Sequence, residues 1–103
     1  KRVKLMTSAP TNGIIDLCNR LGNNYSLNVI DGENVIYRDL HNGYDFEISG
    51  VDNNRKNMKA ILYVWEQKRV VVEMIENIDS FEKLKALLDE MAFKYSQSSS
   101  NHL

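Results

Sequence analysis

The chain has 103 residues, of which 43% are hydrophobic and 26% charged, a composition that is ordinary for a soluble globular protein. That length allows one domain and leaves little room for a second. The 13 basic and 14 acidic residues nearly cancel, so net charge provides no general attraction to nucleic acid or to an anionic membrane. One cysteine and two histidines exclude an internal disulfide framework and a zinc site built from four Cys or His ligands.

Both ends of the chain are polar. Residues 1–9 are predicted to form a poorly ordered arm. Residues 96–103 are a polar run without periodicity and are predicted to form a disordered tail. A single α+β domain is therefore expected over residues 10–95. No run of about 18 apolar residues and no signal-peptide pattern is present, which predicts a cytoplasmic protein without membrane contact.

A helix is predicted at the start of the domain. Its apolar stripe has the helical spacing i, i+3, i+4, i+7 and consists of Ile14, Leu17, Cys18 and Leu21. Thr11 or Ser8 can cap this helix, and Gly22 stands where helices commonly end in a left-handed glycine. Because Cys18 lies on the apolar stripe, we expect it to be a small buried side chain and not a nucleophile.

A second helix is predicted at the end of the domain. Asp79 is expected to cap it, with Glu82 three residues later completing a capping box. Its apolar positions again follow the helical spacing, and they are Phe81, Leu84, Leu87, Leu88, Met91 and Tyr95.

The segment between the helices, residues 25–76, contains no proline and is rich in Val, Ile, Tyr and Phe, which predicts strands. Five strands are expected, at about residues 25–30, 34–40, 44–49, 58–65 and 69–76. The predicted fold is therefore an α+β domain with a five-stranded, mainly antiparallel sheet. The N-terminal and C-terminal helices are expected to pack on one face of that sheet, since each has a single apolar stripe.

The turn at Asn42 and Gly43 predicts a register for the second hairpin of the sheet. If these two residues alone form the turn, Arg38 lies opposite Glu47, and the opposite charges fix the register. That register places a set of apolar side chains on one face, namely Val35, Tyr37, Tyr44, Phe46 and Ile48, with Asp39 and His41 near the turn.

The last hairpin is apolar on both faces, which exceeds what two short helices can cover. With Trp65 opposite Val70, one face carries Ile61, Tyr63, Trp65, Val70, Val72 and Met74. The other face carries Ala60, Leu62, Val64, Val71 and Ile75, with Glu73 as the one charged exception. Aromatic residues and Met are enriched at the centres of interfaces, so we expect the face with Trp65 to bind a partner. The alternative is that this face is simply the core.

No catalytic motif is found. A P-loop, G-x-G-x-x-G, H-E-x-x-H and G-x-S-x-G are all missing from the sequence. The pairs His41 with Asp39 and Asp45 with Glu47 are the nearest to an acid–base site, and both are more simply surface polar groups. We therefore expect no enzymatic activity, no metal and no cofactor.

The sequence favours a small non-enzymatic protein–protein interaction module of the inhibitor, immunity or adaptor type. It would bind a protein partner, or a second copy as a homodimer, through the aromatic sheet face, with Arg55 and Lys56 of the 50–57 loop as further contacts. The alternative is a nucleic-acid-binding domain that stacks bases on Tyr63 and Trp65, with these two cations at the rim. A small enzyme or ligand carrier with a pocket between helices and sheet is the third interpretation.

Overall fold

The computed structural model describes residues 8–97. Its elements follow the order α1 (Asn12–Leu21), β1 (Ser26–Ile30), β2 (Glu33–Asp39), β3 (Tyr44–Ser49), β4 (Ala60–Glu66), β5 (Val70–Ile78) and α2 (Phe81–Ser96). The predicted α+β fold, with five strands between two helices, is confirmed. The predicted N-terminal arm and C-terminal tail lie almost entirely outside the described residues. Neither helix in the described part has the length and apolar character that crossing a membrane requires.

The sheet is an antiparallel meander in the order β1-β2-β3-β4-β5, so β1 and β5 are its edges. Both helices pack on one side of it, the helix face, whose fully buried side chains are Ile36, Phe46, Ile48, Ala60, Leu62 and Val64. The opposite side of β2, β3 and β4 is the open face. Its cross-strand rows are Tyr37–Glu47–Tyr63, Asp39–Asp45–Trp65 and Ser49–Ile61.

The turn between β2 and β3 has three residues, and the predicted register is wrong by one position. The Leu40 N–H donates to the Tyr44 carbonyl at 3.0 Å, which leaves His41, Asn42 and Gly43 in the turn. Asp39 accepts the His41 N–H at 2.7 Å, and Asn42 accepts the Tyr44 N–H at 3.1 Å. These local bonds stabilise the longer turn in place of the two-residue one.

This shift separates the predicted Arg38–Glu47 pair. Tyr37 now lies opposite Glu47, and Arg38 opposite Phe46, so the two charges point to different faces of the sheet. Arg38 instead donates to the Tyr25 hydroxyl at 3.2 Å. The predicted apolar face also divides. Its β3 members Tyr44, Phe46 and Ile48 join the helix face, and its β2 members Val35 and Tyr37 lie on the open face.

The last hairpin also differs from the predicted register. Its turn is Gln67–Arg69, with the Arg69 N–H donating to the Glu66 carbonyl at 3.0 Å, and two bulges interrupt the pairing of β4 with β5. Val71, and not Val70, therefore lies opposite Trp65. Val70 lies opposite Glu66, on the other side of the strand, and Val72 has no partner at the bulge.

The helix ends follow local capping chemistry, with one correction. Thr11 caps α1 as expected, its hydroxyl accepting the Ile14 N–H at 3.4 Å. Ser80, and not Asp79, caps α2, because its hydroxyl accepts the Lys83 N–H at 3.1 Å. The expected capping box with Glu82 is therefore not formed. Cys18 is buried on the core side of α1, and burial raises the pKa of its thiol.

The long loop after β3 ties the start of α1 to the sheet. Asp52 accepts the Thr11 N–H at 3.0 Å and the Asn34 side-chain amide at 2.9 Å. Asn54 accepts the N–H of Gly13 at 2.9 Å. A Cβ on that glycine would lie 2.0 Å from the Asn53 carbonyl oxygen, so this close approach requires glycine. The first half of the loop is thus a structural clamp.

Candidate functional site

The centre of the open face is a hydrogen-bonded pair from two neighbouring strands. The Trp65 indole N–H on β4 donates to Oε1 of Glu47 on β3 at 2.9 Å. Glu47 is only 6% exposed. Burial raises the pKa of this carboxyl, the bond from Trp65 opposes that rise, and the nearby Glu33 and Asp31 add to it. The pair therefore holds an acidic group in an environment that disfavours its charge.

A pocket of about 270 Å³ opens beside this pair. Glu47 and Ser49, neighbours on the open face of β3, both line it, as do the rings of Tyr63 and Trp65. Ser49 is 5% exposed. Within residues 8–97, neither its hydroxyl nor Oε2 of Glu47 forms a hydrogen bond, and no cationic side chain pairs with Glu47. The pocket thus contains two buried acceptors that receive no donor from the described part of the chain.

Acidic groups from the β1–β2 turn stand at the edge of this pocket. Asp31 and Glu33 line it, and Glu33 accepts the Gly50 N–H through Oε2 at 2.9 Å. Both carboxylates are negatively charged, so they attract a cation into the pocket and repel an anion.

A second pocket, of about 330 Å³, lies on the other side of Trp65. Its buried carboxylate, Asp45, accepts hydrogen bonds from the Tyr37 hydroxyl and from the Lys68 ammonium, the latter at 2.7 Å. The bond to Asp45 raises the pKa of Lys68, and Lys68 also lies 3.6 Å from Asp39. The chain therefore neutralises this second acidic group with its own lysine.

The structure brings together four of the six side chains predicted to bind a partner. Ile61, Tyr63 and Trp65 are partly exposed on the open face, and Met74 of β5 lies opposite Tyr63 and is 49% exposed. Val71 takes the place predicted for Val70. Because of the register described above, Val70 and Val72 are exposed at the β5 edge but do not belong to this row.

The two predicted loop contacts are exposed but lie elsewhere. Arg55 lines a groove with Asp16 and Arg20 of α1, on the helix side of the molecule. Lys56 lies beside Arg55 in an adjoining surface hollow. Neither of them lines the two pockets beside Trp65.

Sequence reasoning missed Glu47 and Ser49 as members of the same site as Trp65. The alternation of Asp45, Glu47 and Ser49 along β3 is visible in the sequence, but it is equally typical of a solvated face. Only the pairing of β3 with β4, across 18 residues of sequence, places these side chains beside the tryptophan.

The His41–Asp39 pair considered for acid–base chemistry lies at the tip of the β2–β3 turn. The His41 side chain is 85% exposed and its Nδ1 is 3.7 Å from Asp39. A general base acts in a cleft beside its substrate, and this turn offers none. No group of three or more His, Cys, Asp or Glu side chains in residues 8–97 is arranged to hold a metal ion.

The chain matches no protein-family model, and neither the curated proteins nor the solved structures contain a significant match to it. The functional interpretation below therefore depends on this geometry alone.

Proposed function

We propose that this domain is a small non-enzymatic protein–protein interaction module, of the inhibitor, immunity or adaptor type, that binds its partner through the open face. One observation carries the proposal. Trp65 and Tyr63 are partly exposed beside Val71 and Met74 on a sheet face that neither described helix covers. Exposed apolar surface of this kind marks interaction sites, and Trp, Tyr and Met are enriched at interface centres.

The charges of the open face favour a protein over a nucleic acid. A base-stacking platform needs cations beside its aromatic rings to neutralise phosphates. Here Glu47 and Asp45 lie beside Trp65, and Lys68 is already paired with Asp45. Arg55, one of the two cations expected at the rim of such a platform, lies on the helix side. These positions support a protein partner with basic or apolar contact residues.

Capture with matched variants tests the proposal. The immobilised full chain is exposed to a lysate of the source organism, and the captured proteins are identified by mass spectrometry. Trp65→Ala is compared with Phe93→Ala, which removes another exposed apolar ring, 69% exposed, from α2. A partner that binds through the open face should be captured by the parent chain and by Phe93→Ala. Trp65→Ala should weaken its binding by about 2 kcal/mol or more.

Two further measurements make the result decisive. Thermal unfolding establishes that Trp65→Ala is folded, since a lost core would also abolish capture. Nuclease treatment of the lysate establishes whether nucleic acid bridges the captured protein to the domain. If Trp65→Ala captures the partner as well as the parent chain does, or if capture disappears after nuclease treatment, the proposed function is contradicted.

A further inference from the structure

The pocket beside Trp65 contains an incompletely satisfied carboxylate. Glu47 is nine-tenths buried and receives one hydrogen bond, from the Trp65 indole. Its second oxygen and the buried Ser49 hydroxyl line the pocket without donors from residues 8–97. Buried polar groups in native proteins are almost always hydrogen-bonded, and a buried charge is normally paired. The missing donors therefore come from solvent or from a bound ligand.

The neighbouring carboxylate on the same strand gives an internal comparison. Asp45 is as deeply buried as Glu47, yet it receives bonds from Tyr37 and from the ammonium of Lys68. Residues 8–97 therefore supply a cation to one of the two acidic groups and not to the other. The ligand that completes Glu47 should be cationic, and Asp31 and Glu33 at the edge strengthen that preference.

A guanidinium group fits this pocket better than an ammonium group. Glu47 and Ser49 are two residues apart on one strand, so their Cα atoms are about 6.7 Å apart and their side chains point to the same side. The planar fork of an arginine has five N–H donors, enough to reach both acceptors. Arginine also stacks on aromatic rings, and Trp65 and Tyr63 flank the pocket.

We propose that the pocket formed by Glu47, Ser49, Tyr63 and Trp65 receives an arginine side chain of the partner protein. This inference rests on the function proposed above and names the chemistry by which the open face recognises its partner. The arginine completes the hydrogen bonds of Glu47, and its aliphatic stem covers the exposed part of the Trp65 ring.

A short peptide tests this inference directly, because Trp65 is the single tryptophan of the chain and its fluorescence reports on the pocket. The full chain is titrated with acetyl-glycyl-arginyl-glycinamide and with the same peptide containing citrulline, a neutral isostere of arginine. The arginine peptide should give a saturable change in emission with a dissociation constant on the order of 1 mM. The citrulline peptide should bind at least tenfold more weakly.

Protein variants locate the site. Glu47→Gln should lower the affinity for the arginine peptide at least tenfold, while its amide oxygen still accepts the Trp65 bond. Glu82→Gln, the same change at an exposed position of α2, should leave the affinity unchanged. Thermal unfolding verifies that each variant is folded. If Glu47→Gln fails to fold, Ser49→Ala replaces it, with an expected affinity loss of several fold.

Three outcomes would overturn the inference. They are an arginine peptide that leaves Trp65 emission unchanged, equal binding of the citrulline peptide, and unchanged affinity in the folded pocket variant. A change in Trp65 emission on Arg2→Gln, without any peptide, would also overturn it, since the occupant would then come from this chain.

The inference and the proposed function can fail separately. A captured partner that loses binding to Trp65→Ala but binds Glu47→Gln normally leaves the proposed function standing and refutes the arginine pocket. A partner that binds Trp65→Ala normally refutes the proposed function itself.

Discussion

Glu47 lies at the centre of the open face, and its burial there disfavours the charged form of its carboxyl. Burial raises its pKa above that of the unfolded chain, so the folded state holds a proton more readily over the pH range between the two values. The stability that the protonated group contributes is complete below the unfolded pKa, and it is lost as pH rises through the folded pKa. At neutral pH the ionised group therefore lowers stability, as is common for residues retained for binding.

The first prediction follows from this linkage. Glu47→Gln cannot ionise, so it should be more stable than the parent chain at about pH 7, and the difference should shrink towards about pH 4. Urea unfolding at both pH values measures the free energies. A difference that does not vary with pH would show that the Glu47 carboxyl is not responsible.

Asp52 is the opposite case, a carboxylate that the fold stabilises. Its bond from the Thr11 N–H holds the pKa of Asp52 below its ordinary value. Asp52→Ala removes this bond and the one from Asn34, so it should lower the free energy of unfolding by about 1–2 kcal/mol at neutral pH. The deficit should shrink in acid, because the part of the contribution that depends on the charge of Asp52 is lost as pH falls through its folded pKa.

Urea titration at neutral and acidic pH measures this effect. Asp89→Ala is the control, since its pairing with Lys85 is on the exposed surface of α2 and should contribute less than about 1 kcal/mol. Equal effects of the two substitutions would contradict the role assigned to the loop clamp.

At the level of elements, α2 shows which contacts hold the helices to the sheet. Leu88 is 1% exposed in the core, and Phe93 on the same helix lies in solvent. Leu88→Ala should therefore cost about 2–5 kcal/mol of unfolding free energy, through lost transfer energy and a residual cavity. Phe93→Ala should change it by about 0.5 kcal/mol or less. Denaturant titration of both variants measures these free energies. If Leu88→Ala costs as little as Phe93→Ala, the core position assigned to Leu88 is contradicted.

The helices and strands could be predicted because their signals are local. The stripe of Ile14, Leu17 and Leu21 and the apolar alternation along β4 depend only on the spacing of neighbouring residues. The register of β2 against β3 could not be predicted in this way, because it depends on whether the turn contains two residues or three. Asn42 and Gly43 are typical of the shorter turn, and the hydrogen bond from the His41 N–H to Asp39 stabilises the longer one, in which His41 has a positive φ of 61°.

The candidate site depended on that register and on a non-local pairing. The shared sheet face of Trp65 and Tyr63 was predictable from the alternation along the doubly apolar hairpin. Their acidic neighbours were not, since Glu47 reaches Trp65 only through the pairing of β3 with β4 across the long loop. The three-residue turn of the last hairpin likewise places Val71 in the row predicted for Val70, and no sequence pattern marks the two bulges further along β5.

For the whole molecule, the fold separates the apolar core from the open face, which we propose as the binding surface. The helices and the helix face contain nearly all of the buried apolar side chains, whereas the open face adds Trp65, Tyr63 and Met74 at its surface. Substitutions on the open face can therefore change binding without removing the core, and core substitutions can lower stability without altering the contact surface. This separation is what allows the matched variants above to discriminate.

The charge of the open face also bears on self-association, the alternative form of partner that the sequence left open. A two-fold dimer through this face would bring the same patch of each copy together, and with it Glu47, Glu33 and Asp31 from both. Like charges facing each other across an interface are strongly unfavourable.

We therefore predict that the chain does not pair through this face. Sedimentation across two decades of protein concentration at neutral pH, with Trp65 emission followed in parallel, should show no association that alters the tryptophan signal. A measured mass well above the 11.9 kDa of the monomer, together with a shift in Trp65 emission, would contradict this prediction. It would favour a second copy of the chain as the partner.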